Sequence, residues 1–196
     1  MTKVIFLNGP PRSGKDTSAI LLKRFLFNSD NIHSVKRMGF ADHLKNATHA
    51  SLGLDLPFDH YEAQKSTPLP DFFGKTPREA YIAHSELYMK PVYGLDIYGQ
   101  LWLRAAIATP NVAYWLIPDS GFTFEAQPVM EHYGVGNCLL IRLHREGYDY
   151  KGDSRSYITL PCKTIDIQNN ASVTELEVAL RNAVGTWLQS HRGALK

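Results

Sequence analysis

Short runs of apolar residues recur along the chain, each bounded by polar or glycine-rich segments. The first run, residues 4–7, reads Val-Ile-Phe-Leu and leads directly into a Gly-Pro-Pro turn. A continuous apolar run of this length is typical of a strand buried on both faces of a parallel sheet. Similar patterns predict further strands at 34–40, 112–117, 138–143 and 164–167.

The segments between these runs carry apolar residues at intervals of three and four, the spacing of a helix with one buried face. Predicted helices cover about 15–27, 42–52 and 95–108, with others starting at Thr76, lying around 126–133 and starting at Ser172. Strands and helices therefore alternate along most of the chain.

Two of these helices begin with a complete capping signal. Thr76 and Ser172 each precede a glutamate by three residues, and Pro77 follows Thr76 at the first helical position. In such a capping box the hydroxyl and the carboxylate satisfy backbone amides that the helix leaves free. Asp42 is predicted to cap the helix that runs to about residue 52.

The alternation of strands and helices predicts a three-layer α/β/α fold with a central parallel sheet. With 196 residues the chain is long enough for one such domain and short for two, so we expect a single domain over 1–196. Residues 53–75, rich in Pro, Asp and Gly, are predicted to form a loop. The polar segment 146–157 suits a surface loop or a lid.

Composition and charge argue against several classes of protein. The net charge is +2, which is too small for the basic face that polyanion binders usually carry. We expect neither a signal peptide nor a membrane-spanning segment, because no apolar run is long enough. Cys138 and Cys162 are isolated, fit a reducing compartment and are expected to be buried bystanders. A cytoplasmic protein without nucleic-acid or membrane partners is therefore expected.

The strongest chemical signal is the run Gly9-Pro10-Pro11-Arg12-Ser13-Gly14-Lys15, which has the Gly-x4-Gly-Lys spacing of a phosphate-binding loop. It lies between a predicted strand and a predicted helix, as the mechanism requires. The glycines permit a tight turn, backbone amides face phosphate oxygens, and the helix N-terminus adds partial positive charge. Lys15 is predicted to bridge the β- and γ-phosphates of a nucleoside triphosphate.

The residue after Lys15 departs from the usual loop, because Asp16 stands where a magnesium-binding Ser or Thr is common and Thr17 follows it. Asp16 is predicted to hold Mg²⁺ directly or through water, or to orient the acceptor. The alternative is an acid that only favours the first turn of its helix.

Transfer of a phosphoryl group needs fixed cations, because charge spreads over the transferred group. An arbitrary arginine is more often a solvated surface charge. Arg12 lies within the loop, and Arg78 lies in the first turn of a helix, where the dipole disfavours a cation. The candidate cations are Arg12, Lys45, Arg78, Arg104, Arg142, Arg145 and Arg155.

The run Gly-Lys-Asp-Thr at 14–17 resembles the end of the phosphate-binding loop in the deoxynucleoside monophosphate kinases of bacteriophages. Further echoes follow in order over nearly the whole chain: Phe40-Ala41-Asp42-His43-Leu44-Lys45, Thr76-Pro77-Arg78-Glu79, Trp102-Leu103-Arg104, Ile117-Pro118-Asp119, Glu125, Ile165-Asp166 and Asn169-Asn170. The resemblance implies a P-loop kinase fold with a short lid at about 146–157 and an acceptor-binding helical region at about 41–110.

The resemblance also implies an activity: a kinase that uses ATP and Mg²⁺ to convert a deoxynucleoside monophosphate to its diphosphate, in the host cytoplasm if the protein is phage-encoded. Lys15, Asp16, Arg12 and Asp119 are the implied catalytic residues. ATP would lie on Gly9, Pro11, Ser13, Gly14, Lys15, Asp16, Thr17 and Arg145, with Asp16 and Thr17 at the metal. The acceptor would be bound by Asp42, Lys45, Arg78, Arg104 and Arg155.

Two departures from the family's pattern affect this assignment. The family commonly has Asp-x-Arg-Phe after the strand, but here the arginine's position is taken by Gly121. The lid segment lacks the His and Glu that the family tends to have, and contains Arg155 instead. We hypothesise that Arg155 supplies part of the charge missing at Gly121.

Several alternatives stay open at this point. The loop identifies the donor and says little about the acceptor, so a kinase for another small metabolite is the nearest alternative. An ATP-binding regulatory protein with little transferase activity is another, and a nucleic-acid-end kinase is disfavoured by the low charge. The expected partner is a small-molecule substrate, and the sequence leaves a homodimer open.

Overall fold

Five parallel strands form the centre of the molecule. The structure is a computed structural model, and it describes residues 1–28 and 34–193. The strands are β1 (Lys3–Asn8), β2 (Val35–Arg37), β3 (Tyr114–Ile117), β4 (Cys138–His144) and β5 (Lys163–Gln168). Their order in the sheet is β2-β3-β1-β4-β5, and every pairing is parallel. The predicted parallel sheet is confirmed.

Helices cover both faces of this sheet. They are α1 (Lys15–Asn28), α2 (Phe40–Ser51), α3 (Pro77–His84), α4 (Lys90–Tyr93), α5 (Ile97–Ile107), α6 (Thr123–Tyr133) and α7 (Val173–Gly193). One core lies under α1 and α7, where Leu22 and Trp187 are almost fully buried. The other lies under α5 and α6, where Trp102 packs edge-on against Trp115. The three-layer α/β/α prediction is therefore confirmed.

Helix α2 begins earlier than the sequence predicts. Phe40 is its first residue, so β2 ends at Arg37 and not near residue 40. The prediction that Asp42 is the cap is wrong: Asp42 is the third helical residue, and its Oδ2 accepts a hydrogen bond from the backbone N–H of Gly39 at 2.7 Å. The free amides of Phe40 and Ala41 are capped from elsewhere, by Asp119.

Both predicted capping boxes are present. The backbone N–H of Glu79 donates to Thr76 Oγ1 at 3.0 Å, and the N–H of Thr76 donates to Glu79 Oε2 at 2.8 Å. Ser172 and Glu175 exchange the same two bonds, at 3.3 and 3.0 Å. These starts are correct because each depends on residues within one turn of the chain.

The segment predicted as a loop at 53–75 contains two short 3₁₀ helices, Phe58–Gln64 and Pro70–Phe72. They enclose a satellite core of Tyr61, Phe72 and Tyr81 around the buried imidazole of His49. His49 Nε2 lies 2.8 Å from the hydroxyl of Tyr81, so both partners are hydrogen-bonded. After α3 the helix continues through a π-helical turn, Ser85–Met89, into α4.

Cys138 and Cys162 are free and buried, as predicted. Both thiols have a raised pKa because burial disfavours the thiolate. Of the helices that the structure describes, none is both long enough and apolar enough to cross a membrane.

Helices α5 and α6 approach most closely at Gly99. A Cβ at this position would strike the backbone oxygen of Glu125 and would lie 2.9 Å from Cγ of Pro128. Gly99→Ala should therefore destabilise the protein by about 1–3 kcal/mol through overpacking, although alanine is the better helix former. Chemical denaturation measures this change in the free energy of unfolding.

The matched control is Gly185→Ala in α7, where a Cβ would meet no atom within 4 Å. This variant should be stabilised by up to about 1 kcal/mol, because only helix propensity changes. Equal effects of the two substitutions would contradict the close contact between α5 and α6.

Candidate functional site

The loops that follow β1, β3, β4 and β5 meet at the carboxyl edge of the sheet. Because β1 is central, the chain leaves it to one side toward β2 and later crosses to the other side toward β4. Ligands of open α/β sheets bind at such a change of direction, beyond the carboxyl ends of the strands. The predicted phosphate-binding loop lies at this point, directly after Asn8.

The loop has the backbone that its sequence predicts. Gly14 and Arg12 both have positive φ, 99° and 64°, which reverse the chain within a few residues. Gly9 has no room for a side chain: a Cβ there would lie 2.7 Å from the backbone oxygen of Leu143 and 2.5 Å from Oγ of Ser13. The two glycines are therefore required by backbone conformation at Gly14 and by close packing at Gly9.

Neighbouring loops hold the phosphate-binding loop in place. Asn169, after β5, donates from Nδ2 to the backbone oxygen of Ser13 at 2.8 Å, and Arg145, after β4, donates to the oxygen of Arg12 at 3.0 Å. The Ser13 side chain is fully buried beneath the loop, so it does not face a ligand directly. Pro11 lacks an N–H, and its part in the predicted site is limited to shape.

The ammonium group of Lys15 folds back onto its own loop. Its Nζ donates to the backbone oxygens of Gly9 at 2.6 Å and Pro10 at 2.7 Å. Burial, together with the nearby guanidinium of Arg155, lowers the pKa of Lys15 to about 8. An anion beside Lys15 would restore the charged form, so this position favours a phosphate group.

Asp16 and Thr17 lie at the start of α1 and are exposed. The Asp16 carboxylate is 3.5 Å from Arg37 at the end of β2, and the other arm of Arg37 is 3.5 Å from Asp42. Arg37 is a site residue that the sequence reasoning missed. In the sequence, Arg37 is only a cation at the end of a predicted strand, and such cations are too common to indicate a site.

Asp119 lies at the carboxyl end of β3, where the sequence predicted an acid. Its two oxygens accept hydrogen bonds from the backbone amides of Phe40 and Ala41, each at 2.9 Å. This carboxylate therefore caps α2 and stabilises the partial positive charge of that helix end. Its predicted catalytic role stays a prediction.

The predicted acceptor cations are not brought together into one cluster. Lys45 forms a very short ion pair with Glu62, and its ammonium lies 4.7 Å from the ring centre of Phe58. Arg78 is exposed at the start of α3, and its charge acts on Asp153 of the lid segment. Arg104 is exposed in the last turn of α5 and has no ion pair among the residues that the structure describes.

The lid segment 146–157 contains no helix or strand, and the buried side chain of Asn8 connects it to the sheet, as does the Tyr157 hydroxyl, which donates to the backbone oxygen of Leu143 at 3.0 Å. Asn8 Nδ2 lies 2.9 Å from the backbone oxygen of Ser156, 3.0 Å from the hydroxyl of Tyr150 and 2.7 Å from the oxygen of Ser120. Asn8 Oδ1 accepts from the N–H of Ile158 at 3.2 Å. The amide thus fixes the segment next to the phosphate-binding loop.

Arg155 of this segment is also held in place. Its Nε and Nη2 donate to the two carboxylate oxygens of Asp153 at 2.8 and 2.6 Å. The aliphatic part of Arg155 lies against Gly121, in the loop after β3. This packing places Arg155 next to Gly121, which the sequence alone could not reveal. That Arg155 supplies part of the charge missing at Gly121 stays a prediction.

A buried group of charges lies at the start of α6. Glu125 is 5% exposed, and its carboxyl makes no hydrogen bond to any residue that the structure describes. Burial, and secondarily the nearby Asp119, raise the pKa of Glu125 to about 8. The buried ammonium of Lys90 lies 2.6 Å from Glu86 and 4.4 Å from the ring centre of Phe122. Only Glu125 was noted in the sequence.

A surface pocket of about 400 Å³ opens beside the phosphate-binding loop, between the ends of β4 and β5. His144 and Tyr157 line this pocket, and their rings are stacked with centres 4.5 Å apart. Arg145 and Asn170 are among the other lining residues. Arg142 does not take part, because its guanidinium forms two hydrogen bonds with Asp166, at 2.9 and 2.8 Å.

No protein-family model matches this chain, and no curated protein matches it in sequence. Solved structures do match. The Mycobacterium tuberculosis APS kinase CysC in complex with AMPPNP and APS is 14% identical, with a TM-score of 0.51, and 94% of this chain and 98% of that chain are covered. A cysteine-to-alanine mutant of the same kinase gives 15% identity, a TM-score of 0.47 and coverage of 94% and 97%.

At this identity the likeness concerns the fold. The chain has the α/β fold of a P-loop kinase, with a five-stranded parallel sheet flanked by helices. The predicted fold class is therefore confirmed, whereas the resemblance to phage deoxynucleoside monophosphate kinases stays a prediction.

The buried carboxyl of Glu125 predicts a pH-dependent stability. Its pKa is raised from 4.5 to about 8, so the folded protein keeps a proton that the unfolded chain releases. The wild type should lose stability as the pH rises from about 4.5 to about 8, and Glu125→Gln should not. We expect the free energy of unfolding of the variant to gain more than about 1 kcal/mol over wild type between pH 5.5 and 8.5.

The control is Glu131→Gln, an exposed position on the same helix. Its difference from wild type should not change with pH. If urea titrations give Glu125→Gln a difference that is equally constant, the carboxyl of Glu125 is ionised in the folded protein and this description of the cluster is incorrect.

Proposed function

We propose that this protein is a P-loop kinase that transfers the γ-phosphoryl group of ATP to a deoxynucleoside monophosphate. The observation that carries the proposal is the loop from Gly9 to Lys15, with its helix N-terminus and half-buried lysine at the carboxyl edge of the sheet. A strand, a glycine loop and a helix in this arrangement favour a bound polyphosphate.

The donor's phosphates would lie against the backbone amides at the start of α1. In that state the Lys15 ammonium would exchange its two carbonyl partners for the β- and γ-phosphates. This exchange is favourable because a charge-assisted hydrogen bond to phosphate is stronger than a bond to a neutral carbonyl. The base would enter the pocket next to Arg145 and His144. The similar fold of a kinase solved with AMPPNP supports a triphosphate donor.

The residues after the loop fit a magnesium ion that arrives with the nucleotide. Mg²⁺ is usually held by one or two carboxylates together with phosphate oxygens and water. Asp16 offers a carboxylate that is 81% exposed beside the loop, and Thr17 adds a hydroxyl. Among the described residues no cluster of three or more His, Cys, Asp or Glu side chains could hold a metal without the nucleotide. When bound, Mg²⁺ would neutralise charge on the β- and γ-oxygens.

The acceptor would approach from the side of α2 and α3, where Lys45, Arg78 and the lid residue Arg155 supply positive charge. Its phosphate is already ionised at neutral pH, so the transfer needs no general base. The work of these side chains is to hold two anionic groups in line and to keep water away from them. Lys45 would first have to leave Glu62, which makes acceptor binding a rearrangement.

A kinase acting on another small metabolite is the second candidate. The solved structure of similar fold is an APS kinase in complex with AMPPNP and APS. A deoxynucleoside monophosphate is favoured here by the cations on the acceptor side. The regulatory-protein alternative rests on Gly121 and on the altered lid segment, which lacks the His and Glu that the family tends to have.

An acceptor screen tests the proposal. ADP release from ATP and Mg²⁺ is measured with each of the four deoxynucleoside monophosphates, with APS, and without acceptor. We expect turnover that depends on at least one deoxynucleoside monophosphate. Turnover with APS alone would give the second candidate, and ATP binding without any acceptor-dependent turnover would reject both kinase functions.

Lys15→Ala should reduce kcat on the order of a hundredfold or more while the protein stays folded, because Lys15 stabilises charge on the transferred group. Lys23→Ala, an exposed lysine on the same helix, is the control and should keep wild-type turnover. Thermal unfolding checks that both variants are folded. If Lys15→Ala kept most of its kcat, the loop would not be the phosphate site.

A further inference from the structure

The glycine at position 121 is not explained by its backbone. Gly121 is absent from the residues with positive φ, so its conformation is open to any L-residue. What excludes a side chain is space. A Cβ at Gly121 would lie 2.5 Å from Cδ, 2.7 Å from Cγ and 3.0 Å from Cβ of Arg155. These distances are below van der Waals contact, so residue 121 and the stem of Arg155 compete for one volume.

The rest of the segment fixes Arg155 against this glycine. The N–H of Ser156 lies 3.4 Å from the backbone oxygen of Gly121, and Asn8 bonds to the oxygen of Ser156. The Arg155 side chain is 29% exposed, so much of its stem is out of water.

Asp153 sets the direction of the guanidinium group. It accepts from Nε and Nη2 of Arg155, and its Oδ1 also accepts from the backbone N–H of Arg155 at 2.9 Å. The guanidinium group of Arg155 is planar, and its bonds to Asp153 use Nε and Nη2, so Nη1 can donate to another ligand. Asp153 is 14% exposed, which makes the pair a partly desolvated one.

The guanidinium lies in the electrostatic neighbourhood of Lys15, Asp119 and Glu125. The charges of Lys15 and Arg155 thus act on each other beside the phosphate-binding loop, and the carboxylates of Asp119 and Asp153 act on both. Like charges brought together repel, and a phosphate group between them would turn this repulsion into attraction.

We propose that Gly121 is a socket for the stem of Arg155, so that Arg155, oriented by Asp153, supplies a phosphate-binding guanidinium beside Lys15. The inference rests on the proposed function, since it assigns a ligand to the same site. Gly121 and Asp153 are positioning residues, and Arg155 is the group that contacts phosphate. A glycine after β3 and an arginine after β4 therefore act as one unit.

A double-mutant cycle on Gly121→Ala and Arg155→Ala tests the proposal. Binding of inorganic tripolyphosphate is measured by calorimetry, with kcat and KM for ATP measured in parallel. Arg155→Ala should weaken tripolyphosphate binding about tenfold, in the range of a lost charged hydrogen bond. Gly121→Ala should weaken it similarly by displacing the guanidinium. The double variant should be no weaker than Arg155→Ala alone, because the two changes remove one interaction.

Two comparisons separate position from charge. Asp153→Asn keeps the shape of the partner and should give a smaller loss of binding than Arg155→Ala. Arg181→Ala, a surface arginine paired with Glu177, should leave binding unchanged. If Gly121→Ala proves unfolded, Arg155→Lys takes its place, and its single ammonium should recover less than half of the lost affinity.

If the losses of tripolyphosphate affinity in the two single variants add up in the double variant, Gly121 does not act through Arg155. If Arg155→Ala binds tripolyphosphate as tightly as wild type, Arg155 does not contact phosphate. Both results are distinct from failure of the proposed function. If Gly121→Ala and Arg155→Ala are coupled in tripolyphosphate binding but no acceptor is phosphorylated, the role of Gly121 is supported and the kinase function is rejected.

Discussion

The buried side-chain amide of Asn8 joins the loops on which the site depends. It is fully buried at the end of β1, one residue before the phosphate-binding loop, and it bonds to the loops after β3 and β4. A buried amide without partners costs about 1–3 kcal/mol, so these loops are held where Asn8 needs them. The same two loops meet where Gly121 and Arg155 lie against each other, and the backbone nitrogen of Ser156 lies 3.4 Å from the backbone oxygen of Gly121. Asn8 is thus one of the groups that hold the segment of Arg155 beside the central strand.

Three cationic side chains near the phosphate-binding loop each bond to an oxygen atom of the protein. Lys15 is held by carbonyl oxygens, Arg155 by Asp153, and Lys45 by Glu62. Each of these three cations therefore has a partner within the protein. A phosphate group can compete with these partners because it carries more charge than a carbonyl or a carboxylate.

Sequence reasoning succeeded where the relevant partners lie within a few residues. The loop from Gly9 to Lys15 and the capping box at Thr76 are local, and both were predicted in place. The start of α2 was predicted two residues late, because its cap is Asp119, which is distant along the chain. The choice of Asp42 as cap came from proximity in sequence.

The other contacts of the site also join residues that are far apart in the sequence. Arg37 reaches Asp16 across the site, and Glu125 is buried among charges from three other segments. The socket formed by Gly121 depends on a residue in another loop, and neither partner is unusual when considered alone. The resemblance could indicate that an arginine is missing at 121, whereas the packing of Arg155 against Gly121 is visible only in the structure.

We propose that the loop after β1 binds the phosphates of ATP. The most direct test is a backbone amide NMR titration of the wild-type protein with Mg²⁺ and a non-hydrolysable ATP analogue. The account predicts the largest shifts at Gly9, at 12–17 and at Asn169, since these amides face or support the phosphates. Saturable binding that leaves the amides of 12–17 unchanged, with shifts concentrated elsewhere, would contradict it.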